Sequence, residues 1–297
     1  MGGTPVGGFS FRKVCIIESL PAGQLRTGWR LYDDYLKDKE YEIDGLSVEY
    51  IQVQSKDEFF DAFEKLRADL TSQTGANFAV PILHLEMHGC QGGLWLGSGK
   101  FVSHHQLFEY LSHINVLTEN HLLVVVGACF GAHMIQIVQN NFDPPVPAPF
   151  WGIMGPTKEV LAGRLLDGCR AFYGTLLDTK DANLALSELR NAYADKGEEF
   201  LVIPSEYFFR EAYRQFTAVY QSTEFLEYWI QDIMRRAKKI AGTRLGMRAY
   251  ERHVRDKLET AQGREDHFNR VRDVFFMLDR FPENKTRFPL TYAEVVS

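Results

Sequence analysis

The chain has 297 residues, 45% apolar and 24% charged, the composition of an ordinary globular protein with one large core or a core and an appendage. A formal net charge of -6 argues against a nucleic-acid partner, and no apolar run approaches the ~18 residues of a membrane-spanning helix, so no membrane association is expected. Four cysteines (Cys15, Cys90, Cys129, Cys169) lie far apart without a CxxC pair, which excludes a disulfide framework or thiolate zinc site from expectation. The opening MGGTPVGGFS lacks a cationic stretch followed by an apolar one, so no secretory leader is expected and a reducing cytoplasm is the expected location.

Along the first two-thirds, strand-like and helix-like segments alternate, the pattern of an α/β domain with a mainly parallel central sheet flanked by helices. Phe11 to Leu20 is a β-branched apolar run suited to a central strand. Gly28 to Lys39 has helical spacing, and Leu46 to Val53 alternates as a half-buried strand does. Ser55 and Glu58 form a capping box that opens a helix to about Leu70. Phe78 to Met87 and His121 to Ala128 are expected strands; between them lie a short strand at Leu94 to Leu96 and a helix from His104 to Ile114 capped by Ser103. A helix is expected from about Phe130 to Asn140, then a Pro-rich loop from Asp143 to Pro149. A strand at Phe150 to Met154 and helices at Glu159 to Leu177 and Asp181 to Ala194 complete the pattern.

From about Pro204 the texture becomes helical and aromatic, with almost no strand signal. Residues 201–297 carry 17 Lys/Arg against 14 Asp/Glu, so the acidity resides in residues 1–200. This divides the chain into a domain at 1–200 and a helical C-terminal extension at 201–297. The extension reads either as additional core packed on the first domain or as a docking surface for an activating or regulatory protein.

Two segments carry chemistry: PILHLEMHGC at 81–90 and HLLVVVGACFG at 121–131. Each is an apolar strand ending in a small polar cluster, and strand carboxyl ends are where parallel sheets collect reactive groups. A thiol at Cys129, placed at the start of a helix, would gain thiolate character from the helix N-terminus. An imidazole at His88 can take its proton and later return one to a leaving amine. The backbone N–H groups of Gly89 and Cys129 are candidates for an oxyanion hole. Taken singly, a strand-end cysteine or histidine is ordinary core. Cys90 adjoins His88 but opens no helix, and His133 is read as packing behind the thiol. His84, Glu86 and His88 share one strand face by alternation; a metal trio there is the minor alternative, and Glu86 orienting His88 is another.

A strand closing in His88-Gly89, with Gly127-Ala128-Cys129-Phe130-Gly131 following 41 residues after the histidine, resembles the caspase-like (clan CD) cysteine peptidases. The likeness spans about residues 10 to 195 and is closest to the bacterial CHAT-type members; it does not reach the C-terminal helices. It implies a caspase-like α/β fold and a thiol endopeptidase with Cys129 as nucleophile, His88 as acid/base partner and a thioacyl intermediate. It further implies no metal or organic cofactor, a protein or peptide substrate, and a regulated effector role. The alternatives are a catalytically inactive scaffold or adaptor with the same fold, and a cysteine hydrolase or acyltransferase of another α/β class. In the family, the residue two before the cysteine often reads the side chain preceding the scissile bond. Here it is Gly127, which offers no charge and points to an apolar or small pocket. Glu18 and Arg26 are further candidates for substrate binding, and they argue in opposite directions.

Overall fold

The computed structural model describes residues 10–73, 79–138, 145–193, 200–220, 223–241 and 247–297. Contacts divide the chain into two compact units, Met1–Asn141 with Pro147–Ser205, and Phe142–Val146 with Glu206–Ser297.

The first unit is built on the apolar runs. Strand β1 (Lys13–Ser19) leads into a helical stretch of α1 (Thr27–Leu31), a π turn (Tyr32–Leu36) and α2 (Lys37–Glu42). Then come β2 (Ser47–Gln52), α3 (Lys56–Ser72), β3 (Pro81–Cys90), β4 (Gly93–Trp95), β5 (Phe101–Ser103), α4 (His104–Leu117) and β6 (Leu123–Gly127). A 3-10 helix (Gly131–Val138) follows, and β7 (Gly152–Pro156), α5 (Ala162–Thr179), α6 (Ala182–Tyr193) and β8 (Phe200–Pro204) end the unit. The main sheet has the order β2-β1-β3-β6-β7-β8. Its strands run parallel except β8, which pairs antiparallel with β7 at the edge. Strands β4 and β5 extend the far end of β3 as an antiparallel flap.

The structure is therefore α/β with a mostly parallel central sheet flanked by helices. Burial on both faces explains why the strands read as unbroken apolar runs: every residue of β6 and all but the first of β1 are buried. The expected capping box of Ser55 with Glu58 forms, and the expected cap Ser103 is part of a second box with Gln106; they fix the starts of α3 and α4. Phe59 and Phe63 of α3 meet Tyr110 or each other at ring separations of 5.2–5.8 Å, which locks α3 to α4.

The segment after Cys129 departs from expectation. It is a 3-10 helix, begun by bonds from Gly131 N to the Ala128 carbonyl (3.0 Å) and from His133 N to that of Phe130 (2.9 Å). Its sequence, GAHMIQIV, contains a glycine and three β-branched residues, which disfavour an α-helix. Strand β8 was not expected from the sequence. The Pro-rich loop partly lies outside the described residues.

In the second unit, α7 (Ser205–Tyr220) begins at the boundary and is followed by α8 (Thr223–Ala241), α9 (Met247–Glu259), α10 (Ala261–Phe275), α11 (Asn284–Arg287) and α12 (Tyr292–Val296). From Glu206 on, the described residues of this unit form helices joined by turns and loops, with no strand among them. Its core is aromatic: Phe209 lies 5.1–5.7 Å from Phe268, Phe275 and Phe276, and Phe276 stacks on Phe288 at 4.4 Å. Among the described residues, no helix is long and apolar enough to cross a membrane.

Candidate active site

The strand order turns at β1: β2 lies on one side, and the chain crosses to β3 on the other. Crevices form at the carboxyl ends of strands beside such a switch. Here the ends of β1, β3 and β6 surround a cavity of ≈ 280 Å³. His88, Cys129, Glu86, Gly127, Gln24 and Thr27 line it on one side, and Leu20, Leu25, Met87, Val160, Ala162 and Leu165 supply apolar walls.

His88 and Cys129, 41 residues apart in sequence, thus meet at one cavity because β3 and β6 are adjacent and parallel. His88 is exposed and Cys129 half-buried, so both are accessible. The cysteine Sγ contacts the Val160 carbonyl oxygen at 4.0 Å. His88 Nε2 lies 2.7 Å from Gln24 Oε1. With that amide oxygen as acceptor, Nε2 carries the hydrogen and Nδ1 keeps the lone pair, the form a base requires. Gln24 sits in the loop between β1 and α1, and nothing in the sequence singled it out.

Backbone geometry around the thiol is tight. Phe130, immediately after Cys129, adopts φ 60°, a left-handed conformation that costs about 1 kcal/mol or more in a residue with a Cβ. That turn lets the chain leave β6 sharply with Cys129 at its tip. A Cβ on Gly89 would stand 2.2 Å from the Cys129 carbonyl oxygen, and one on Gly131 would stand 2.7 Å from that of Val126. Both glycines are required by close backbone approach. The short 3-10 helix stands where an α-helix N-terminus was expected to favour a thiolate at Cys129.

Glu18, Glu86 and Gly127 are register partners across β1, β3 and β6. Glu18 is 1% exposed, and its Oε1 accepts from the N–H groups of Gly28 (2.8 Å) and Trp29 (3.2 Å). Its Oε2 accepts from Tyr50 Oη (2.6 Å) and Arg26 Nε (3.2 Å). Arg26 also donates to Tyr50 Oη at 2.6 Å and Gln52 Oε1 at 2.9 Å, and lies 5.3 Å from the centre of the Trp29 ring. Burial, then the neighbouring Glu18 carboxylate, push the Tyr50 phenol up, so it stays a donor. Glu18 and Arg26 compensate each other, and neither is among the residues lining the cavity; Gly127 is.

Glu86 does not contact His88. Its Oε1 accepts from the Thr27 hydroxyl, and its Oε2 lies 2.8 Å from His84 Nε2. His84 Nδ1 in turn lies 3.1 Å from the Tyr173 hydroxyl. Burial pushes the Tyr173 phenol well up, so it keeps its hydrogen beside His84 Nδ1. Among the described residues no group of His, Cys, Asp and Glu is arranged to hold a metal ion, and His88 faces Gln24 rather than its strand-mates. Cys15 and Cys169 are buried, and burial pushes the Cys15 thiol up to about 12, so neither is a competing nucleophile at neutral pH. No protein-family model matches the chain, and no curated protein does so either.

Proposed function

We propose that the chain is a caspase-like cysteine endopeptidase, in which Cys129 attacks the scissile carbonyl and His88 acts as base and then acid. The observation carrying this reading is that the thiol and the imidazole, each ending a neighbouring parallel strand, line one cavity with close glycine backbone between them. In the first step the Cys129 thiol proton passes to His88 Nδ1 as Sγ bonds to the carbonyl carbon. The backbone N–H groups of Gly89 and Cys129 stand as the donors for the resulting oxyanion. The carbon–nitrogen bond breaks, the amine departs with the His88 proton, and the thioester remains. Water, deprotonated by His88, then hydrolyses it and restores the thiol. The absence of an α-helix start and the exposed His88 fit an enzyme whose resting thiol is weakly activated and awaits a partner or signal, and the C-terminal helices are the surface assigned to that partner.

The test is digestion of a mixed peptide library by the wild-type chain and Cys129→Ala, each with and without cell extract. Cleavage products that appear with the wild type and vanish with Cys129→Ala support the reading. Identical product profiles from the two proteins in both conditions overturn it and leave the inactive scaffold.

A further inference from the structure

The cavity is lined by a buried carboxylate, Glu86, that no Lys or Arg among the described residues pairs with. Glu86 is 3% exposed, and its partners are the Thr27 hydroxyl and the His84 imidazole. Its strand neighbour Glu18 has the same burial and a complete set of donors including Arg26. The Glu86 field is felt locally: after burial itself, it is what pushes the Cys169 thiol up. A buried carboxylate is expensive without a cation. The two bonds it accepts occupy two of about four lone-pair positions, leaving room for a further donor.

We propose that Glu86 is the specificity residue of the cavity and that the enzyme cleaves after lysine or arginine; this rests on the peptidase reading above. Gly127, the register partner of Glu86 on β6, is the reason Glu86 can act there. A Cβ at Gly127 would stand 2.1 Å from Glu86 Oε2, so the glycine vacates the space that the carboxylate of the adjacent strand fills. The pocket charge is supplied from β3 instead of β6. Distances along the strands agree: Glu86 and Gly127 each stand two residues before His88 and Cys129, roughly 6.6 Å in a strand, a reach matched by the stem of a long basic side chain. The apolar walls of Leu20, Leu25, Val160 and Leu165 would cover its methylenes, while the cationic end meets the carboxylate. His84 and Tyr173 act behind Glu86 as positioning residues.

The experiment uses the full chain with peptidyl acyloxymethyl ketones that differ only in the residue before the warhead: lysine, arginine, norleucine or aspartate. Rates of covalent labelling at Cys129 are compared for wild type, Glu86→Gln and Glu86→Asp, with and without cell extract. The expected result is lysine or arginine over norleucine by at least about 100-fold, a ratio lost in Glu86→Gln and partly kept in Glu86→Asp. Labelling that needs Cys129 and His88 but prefers norleucine or aspartate overturns the proposal and leaves the peptidase reading standing. So does a basic preference that survives Glu86→Gln. If no probe labels Cys129 in either condition, the peptidase reading fails and this proposal with it.

Discussion

Gly127→Ala places one methyl group where the structure has no room. The added Cβ would stand 2.1 Å from Glu86 Oε2 and 3.0 Å from His84 Nε2, so the carboxylate must move. Moving it breaks the 2.8 Å bond to His84 and leaves a buried imidazole N–H without an acceptor. Losing a hydrogen bond to a charged group costs about 1.5–3 kcal/mol. Alanine returns about 0.5–1 kcal/mol by restricting the unfolded chain. The net expectation is a destabilisation of about 1–2 kcal/mol. Urea unfolding of the single variants and of Gly127→Ala/Glu86→Ala measures this. Truncating Glu86 removes the clash, so the Gly127→Ala cost should fall to near zero in that background, giving a coupling of about 1–2 kcal/mol. Equal costs of Gly127→Ala in both backgrounds would refute the claim that the two residues compete for one space.

Three further outcomes are expected. His104 is 5% exposed, and burial followed by repulsion from His133 lowers its pKa from 6.5 to about 4. The unfolded chain therefore binds this proton more readily, so stability falls as pH drops from 6.5 toward 4, by up to about 3 kcal/mol, and flattens below that; thermal unfolding against pH should lose this slope in His104→Leu, and an unchanged slope would assign it elsewhere. Gln24→Ala should lower kcat about tenfold by freeing the His88 ring, whereas Gln24→Glu should move the pH profile of kcat/KM to higher pH, because a carboxylate favours the imidazolium; identical profiles for both variants and wild type would remove Gln24 from the site. Gly89→Ala should lower the proposed peptidase kcat/KM at least about 100-fold, because its Cβ meets the rigid Cys129 carbonyl and displaces Cys129; a loss below tenfold would show that this approach is relieved without consequence.

Much of the fold was legible because both faces of the sheet are covered. That makes β1, β3, β6 and β7 continuous apolar runs, and the capping boxes at Ser55 and Ser103 mark helix starts by local chemistry alone. The strand β8 is short and ends at Pro204, so its antiparallel pairing with β7 is a tertiary choice without local signature. The 3-10 turn after Cys129 depends on the left-handed Phe130, which no residue pattern announces. That His88 and Cys129 share one cavity was readable because each closes a neighbouring strand beside glycine. Gln24 was not, since a loop glutamine acquires a role only when the loop folds over His88. Glu18 and Arg26 looked like pocket residues from position alone; their mutual pairing appears only when β1, β2 and α1 assemble. Glu86 was hidden most deeply. A glutamate inside an apolar strand reads as a supporting group, and the space its carboxylate fills beside Gly127 is seen only when β3 and β6 pair.

The account stands on the Cys129–His88 pair, and covalent trapping tests that pair most directly. The wild-type chain, Cys129→Ala and His88→Ala are incubated, with and without cell extract, with a peptidyl acyloxymethyl ketone carrying lysine before the warhead, and the adduct is located by peptide mass mapping. One adduct is expected, on Cys129, absent in Cys129→Ala and slowed at least about 100-fold in His88→Ala. An adduct on Cys90, or labelling of Cys129 at the same rate without His88, would contradict it.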